Sequence, residues 1–236
     1  MWLAVGVVVG VAPLLFDYAS GVPTQRLVTA LLLTPLMLAA IARDQLGRAW
    51  LALGSALLVH NVLAVLLVMH DPVRMAGLID GGPAYWDKTL RWLQTGENDE
   101  YALRYWVPHH LQLLAAMTFF TYVSLGWVTL WRGFYEIDWM NYYVGNLMTH
   151  SQSPWPAVAV GWHPWSICRG VGFVFLTYEV ASWSFQRLTG VPLSSPSRRL
   201  ARWGVGIGLL LVDAAIKFFF MEDVRVILSG NLSTDA

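Results

Sequence analysis

Apolar residues in this chain fill long runs rather than marking one face, and short polar islands separate the runs. They lie at about 2–16, 27–42, 49–69, 107–131, 165–185 and 203–220. A helix that is hydrophobic all round belongs in a protein interior or in lipid. About 20 such residues match a hydrocarbon layer ~30 Å thick. The first two runs are short for that span and carry Pro13 and Pro35, with DYASGVPTQR between them as turn chemistry, so they read as a hairpin of two spans. The pattern predicts an all-α polytopic integral membrane protein, one transmembrane domain over 1–236, with about six transmembrane helices.

Two stretches have a different period. AYWDKTLRWLQ, around 84–94, alternates polar and apolar residues at helical spacing. In 134–148, Phe134, Ile137, Met140, Tyr143 or Val144, and Leu147 recur every three or four positions, with Glu136, Asp138, Asn141 and Asn146 elsewhere on the wheel. Both are expected to be amphipathic helices lying in the membrane interface. SQSPWP ends the second, and 154–165 is expected to be either a lid or a re-entrant loop.

Composition sharpens the membrane reading. Only 13% of the 236 residues are charged and 56% are hydrophobic, with mean hydropathy +0.51. Soluble domains carry about 25% charged residues, and 15 basic plus 15 acidic residues cannot coat this many apolar helices. Zero net charge predicts no field drawing the chain to nucleic acid or to anionic surfaces. The single Cys168 excludes a disulfide framework and a multi-thiolate metal site, and reads as an apolar filler. The start, MWLAVGVVVGVAPLLFDY, lacks a basic signal region and is expected to be a retained first span. There is no Walker A sequence, GxSG, GxGD, HExxH or HxxHH. The nucleotide-binding and intramembrane-protease signatures are therefore missing. On the six-span map nine basic residues share one side and six the other. The positive-inside rule then places both termini, with 132–169, outside. The expected location is a bacterial-type cytoplasmic (inner) membrane.

Candidate chemistry gathers between Arg132 and Arg169. Glu136, Asp138, His150 and His163 lie there among Trp139, Trp155, Trp162 and Trp165. Carboxylates with imidazoles suit a divalent metal or acid–base work. Glu136 and Asp138, however, stand roughly 200° apart on a helix and cannot serve one ligand. The competing reading is an aromatic belt at headgroup depth. His70, His109 and His110 stand at the ends of the third and fourth spans and would meet if those helices were antiparallel neighbours, as a metal position or as headgroup-level polar residues. Inside the spans lie His60, Glu179, Asp213 and Lys217, which need partners in a membrane. Asp213 and Lys217 are spaced to neutralise each other, and Glu179 is expected either to be protonated or to pair with a group such as His60. Three functions remain open. The chain could be a non-catalytic membrane subunit or permease-like component of a larger complex, with protein partners in the bilayer. It could be a small membrane-embedded enzyme, or a proton- or cation-coupled transporter using Glu179. The sequence leaves the cofactor unknown, metal and haem included.

Overall fold

A computed structural model describes residues 1–97, 103–192 and 194–233, the side chains of 103–106 excepted. The described residues form ten helices and no strand: α1 (Trp2–Ser20), α2 (Gln25–Ile41), α3 (Leu46–His70), α4 (Pro72–Leu78), α5 (Gly82–Thr95), α6 (Leu103–Ser124), α7 (Trp127–Thr149), α8 (Pro154–Val160), α9 (Pro164–Thr189) and α10 (Pro196–Ser229). Three of them, α1, α3 and α10, are long and apolar enough to cross a membrane. Pro13 and Pro35 sit inside continuous α1 and α2.

The course of the long helices follows from their contacts. α1 and α3 run parallel, because Gly6 lies against Ala52 and Ser55 while Gly10 lies against Ala56 and Val59. A Cβ on Gly10 would stand 2.8 Å from Val59 Cγ2. In lipid, helices gain little from hydrophobicity and associate through such close packing. α2 returns between them. α7 runs parallel to α3, with Gly126 at Met37 late in α2 and Gly145 against Val68 late in α3. α9 and α10 are antiparallel, with Gly172 beside Gly206. α6 joins through Thr121 Oγ1, 2.7 Å from Thr129 Oγ1 on α7, and through Ser184 Oγ of α9, which donates to Tyr122 O at 2.6 Å. A lower end thus holds Met1, 42–45, 125–126, 190–192 and 194–195. The upper end holds 21–24, the α4–α5 segment, 150–163 and 230–233.

The largest departure from the sequence pattern is at Leu125–Gly126. The expected span 107–131 is not one helix: Leu125 (φ 55) and Gly126 (φ 96) turn the chain back. Left-handed backbone is costly for leucine and nearly free for glycine. The expected interfacial helix 134–148 is consequently the body of α7, and it runs through the bundle. Its inner face is Phe134, Asp138, Asn141 and Gly145, at spacings of four, three and four, all buried. Of the apolar wheel, Phe134, Tyr143, Val144 and Leu147 are buried too, while Ile137 and Met140 are only half-buried. The carboxylate and the amide can lie inside because α2 and α3 supply their partners. By contrast, α5 spans the expected 84–94 helix and packs on α7 and α10, burying Trp92 and Leu93. The 154–165 stretch becomes α8 and a short link, folded back so that Trp162 Nε1 donates to Asn141 Oδ1 at 3.0 Å.

The turn also changes which connections share an end of the bundle. One additional traverse puts the α2–α3 connection and the start of α10 at the same end, where Arg198 Nη1 meets Asp44 Oδ2 at 2.7 Å. Arg43 and Arg48 therefore share an end of the bundle with Arg198 and Arg199, and Met1 lies at the end opposite to 230–233.

Candidate functional site

Buried carboxylates mark the places where chemistry could occur, because an ionised group inside the bundle persists only with matched partners. Among the described residues three such centres stand out, each joining different helices.

The first is Asp138 on α7, fully buried. Its Oδ1 lies 2.7 Å from His60 Nε2 on α3. Its Oδ2 accepts from Gln25 Nε2 at 2.5 Å and Arg26 Nε at 2.6 Å, both from the first turn of α2. One carboxylate thus fastens three helices. Arg26 continues outward, its guanidinium 4.5 Å from the Tyr135 ring centroid, and Tyr135 donates to Asp80 Oδ2 at 3.0 Å. Behind Gln25, Asp17 of α1 accepts from the Gln25 amide at 2.6 Å and from Thr24 Oγ1 at 2.8 Å. A carboxylate at a helix N-terminus is favourably placed. A neutral layer lies alongside, in which Asn141 donates to Asn61 at 3.0 Å and accepts from Trp162. His60 Nδ1 and Gln25 Oε1 are buried without a hydrogen-bond partner.

Glu179 on α9 is the second. Arg202 Nη1 reaches its Oε1 at 2.8 Å and Arg199 Nε its Oε2 at 3.3 Å, both from the first two turns of α10. Arg202 is shared: its Nη2 also meets Asp44 Oδ1 at 2.7 Å and Ser194 Oγ at 2.9 Å. Partial burial pushes the Asp44 carboxyl up, but hydrogen bonds from Ser194, Arg202 and Arg198 outweigh this and hold it below its ordinary value. The Arg202 guanidinium lies 5.3 Å from the centroid of the Tyr178 ring. A cavity of about 10 Å³ adjoins, lined by Ile41, Tyr178 and Ser194 among others, room for about one water.

The third is Asp213 on α10, which takes Arg169 of α9 in bidentate fashion, Nε at 3.0 Å and Nη2 at 2.9 Å. A planar fork on a carboxylate is the strongest of these geometries. Nearby, His163 holds the N-cap of α9 at φ 46, with its ring stacked on Trp165 at 4.7 Å and edge-on to Trp92. Its Nε2 is buried without a hydrogen-bond partner. Burial, with the charges of Lys217 and Arg169, holds this imidazole down to about 3.

The four residues expected to form one site are therefore dispersed. Glu136 is exposed and paired with Arg132 one turn away. Asp138 is in the core. His150 is half-buried, its Nδ1 2.8 Å from Asn146 O and its ring stacked on Trp86. His163 lies in its aromatic setting. The expected role of Glu179 as partner of His60 is also overturned: His60 belongs to Asp138, and Glu179 to Arg199 and Arg202. Asp213 takes Arg169 across helices, a partner the helix spacing of Asp213 and Lys217 did not indicate. Lys217 itself is buried on α10. His70 and His109 are exposed, and α6 packs on α7 and α9 while α3 packs chiefly on α1, α7 and α2, so α3 and α6 are not the packed neighbours that a histidine junction was expected to join. The rings of His109 and His110 stand edge to face, 5.7 Å apart. No group of three or more His, Cys, Asp or Glu among the described residues is arranged to hold a metal ion. Residues the sequence reading did not select, Gln25, Arg26, Asp44, Arg169 and Arg202, prove to be the partners. Their only signal was that a buried acid needs a base, and pairs on separate helices have no sequence spacing.

No protein-family model matches the chain, and neither a curated protein nor a solved structure matches it.

Proposed function

We propose that this chain is a non-catalytic integral membrane component, a subunit or permease-like part of a larger membrane assembly. The observation that supports this is the use of the buried carboxylates. Asp138 links α7 to α2 and α3, Glu179 links α9 to α10, and Asp213 links α10 to α9. Each is committed to holding helices together. The groups expected to act as one catalytic set are separated by their own partners.

On this reading the seven helices of 17 residues or more, α1–α3, α6, α7, α9 and α10, all cross the bilayer. The outer face of α10, with Leu211, Phe218 and Phe219 66–70% exposed, meets lipid or a neighbouring subunit. A cytoplasmic membrane is the location that fits. Native mass spectrometry from mild detergent tests the assembly: the expected result is a stoichiometric protein partner, and a chain that flies alone under all gentle conditions overturns it.

A second reading is favoured by one feature. His60 Nδ1 is buried without a partner beside an Asp138 carboxylate that connects through Arg26 and Tyr135 to Asp80. A buried imidazole–carboxylate pair is what proton-coupled transport uses. In that case Asp138→Asn abolishes proton-dependent uptake in proteoliposomes while Glu179→Gln retains it. Loss of folding in both with no uptake by the wild type leaves the first reading in place.

A further inference from the structure

The net charge of zero conceals a segregation of charge along the bundle. At the lower end, segments 43–48 and 187–202 carry six arginines and one acid, Asp44. At the upper end, segments 70–97 and 222–225 carry six acids and four bases. The structure brings the two lower segments together, with Arg198 and Arg202 both on Asp44. Asp44 and the buried Glu179 occupy Arg198, Arg199 and Arg202. Arg43, Arg48 and Arg187 are exposed around them. Arg187 lies eight residues beyond Glu179 on α9, about 12 Å further towards the lower end.

The same level carries indoles. Trp183 and Trp203 stand 6.4 Å apart, and the Arg199 guanidinium lies 5.3 Å from the Trp183 ring. Tryptophan gathers at headgroup depth, so these arginines project into the headgroup layer. We infer that the lower end is a docking surface for anionic phospholipid headgroups, formed by Arg43, Arg48 and Arg187 around the Asp44–Arg198–Arg202 knot, and that it faces the cytoplasmic leaflet. An anionic leaflet attracts each basic residue near its surface by about 1 kcal/mol, roughly fivefold in binding. Whole-chain charge averages two ends of opposite sign, so on this inference a net charge of zero is compatible with attraction to an anionic surface at one end.

Lipid retention is the test. The full chain is transferred to detergent micelles doped with either phosphatidylglycerol or phosphatidylcholine, and bound lipid is counted by native mass spectrometry. Phosphatidylglycerol is expected to be retained preferentially. The preference should fall by roughly fivefold for each charge removed in Arg43→Gln, Arg48→Gln and Arg187→Gln. It should survive Arg74→Gln with Arg91→Gln at the upper end, and millimolar inorganic phosphate should not displace the lipid. Equal retention of the two lipids overturns the proposal. So does an equal effect of the upper-end substitutions, or full displacement by phosphate. Sidedness gives a check that needs no arginine variant. With Cys168→Ala, an impermeant maleimide should label Gln152→Cys on intact cells and Ser197→Cys only after permeabilisation; the reverse, or both from one side, overturns it. Neither readout depends on a partner subunit, so this inference and the proposed function fail separately.

Discussion

Asp138 and Glu179 are both carboxylates buried beyond the reach of solvent, both faced by arginine, and they are held in different ways. Around Asp138 the partners come from two other helices, Gln25 and Arg26 from α2 and His60 from α3, and the arginine in contact is Arg26, 11% exposed. Around Glu179 the partners overlap: Arg202 serves two acids, Asp44 takes two arginines, and Ser194 joins them. A centre whose partners come from two other helices, and are shared with no second acid, fixes the relative position of three helices. A redundant centre at the bundle's end tolerates the loss of a member.

That difference orders the consequences of substitution. Asp138→Ala should be the most damaging, since it strands Arg26 and His60 in the core. Removing one partner of a buried pair costs about 3–5 kcal/mol, so the detergent-solubilised protein should lose cooperative thermal unfolding or fail to accumulate. A melting curve like that of the wild type would break the comparison. Glu179→Gln keeps the shape and leaves Arg202 on Asp44 and Ser194, so a loss of about 1–3 kcal/mol is expected, the range for one charged hydrogen-bonding partner. If the two losses are equal, the redundancy has no energetic content.

His163 supplies a third contrast, a buried base without a counter-ion. Its folded value of about 3 lies below the ordinary 6.5. The unfolded chain therefore binds a proton that the native one refuses, and stability falls as pH drops from about 6.5 towards 3. His163→Asn should flatten the fall in melting temperature between pH 7 and 5; an unchanged slope would assign it to other groups. The smallest effect belongs to Glu136→Gln. This acid is 45% exposed and paired within its own helix, and such pairs contribute little. A large loss there would mean that the surface position of Glu136 is wrong.

The apolar runs identified most of this bundle in the sequence, because spans such as 49–69 are set by composition and run length alone. The helix over 84–94 was likewise legible from its period. What escaped was the turn at 125–126, where FFTYVSLGWVTLW shows no polar break: a leucine and a glycine reverse the chain inside an apolar run. Once that reversal is missed, 134–148 can only be placed on the surface, and Asp138 is taken as water-facing. Glu136 and Asp138 were correctly kept apart by helix geometry, yet the burial of Asp138 depended on Arg26 and His60, more than 70 residues away. The pairing of Glu179 was missed for the same reason, since Arg202 reaches it from the next helix across a loop.

Both buried centres depend on that turn. It sends α7 back through the bundle, so that Asp138 meets α2 and α3, and it brings the start of α10 to the end that carries Asp44. The sides on which two connections lie measure this directly. In a Cys168→Ala background, single cysteines at Gly47 and Ser197, both exposed, are probed with an impermeant maleimide from either side of sealed membranes. With the turn, both are labelled from the same side. Labelling from opposite sides is the six-span arrangement with 134–148 on the surface, and it would contradict the fold and both charge centres together.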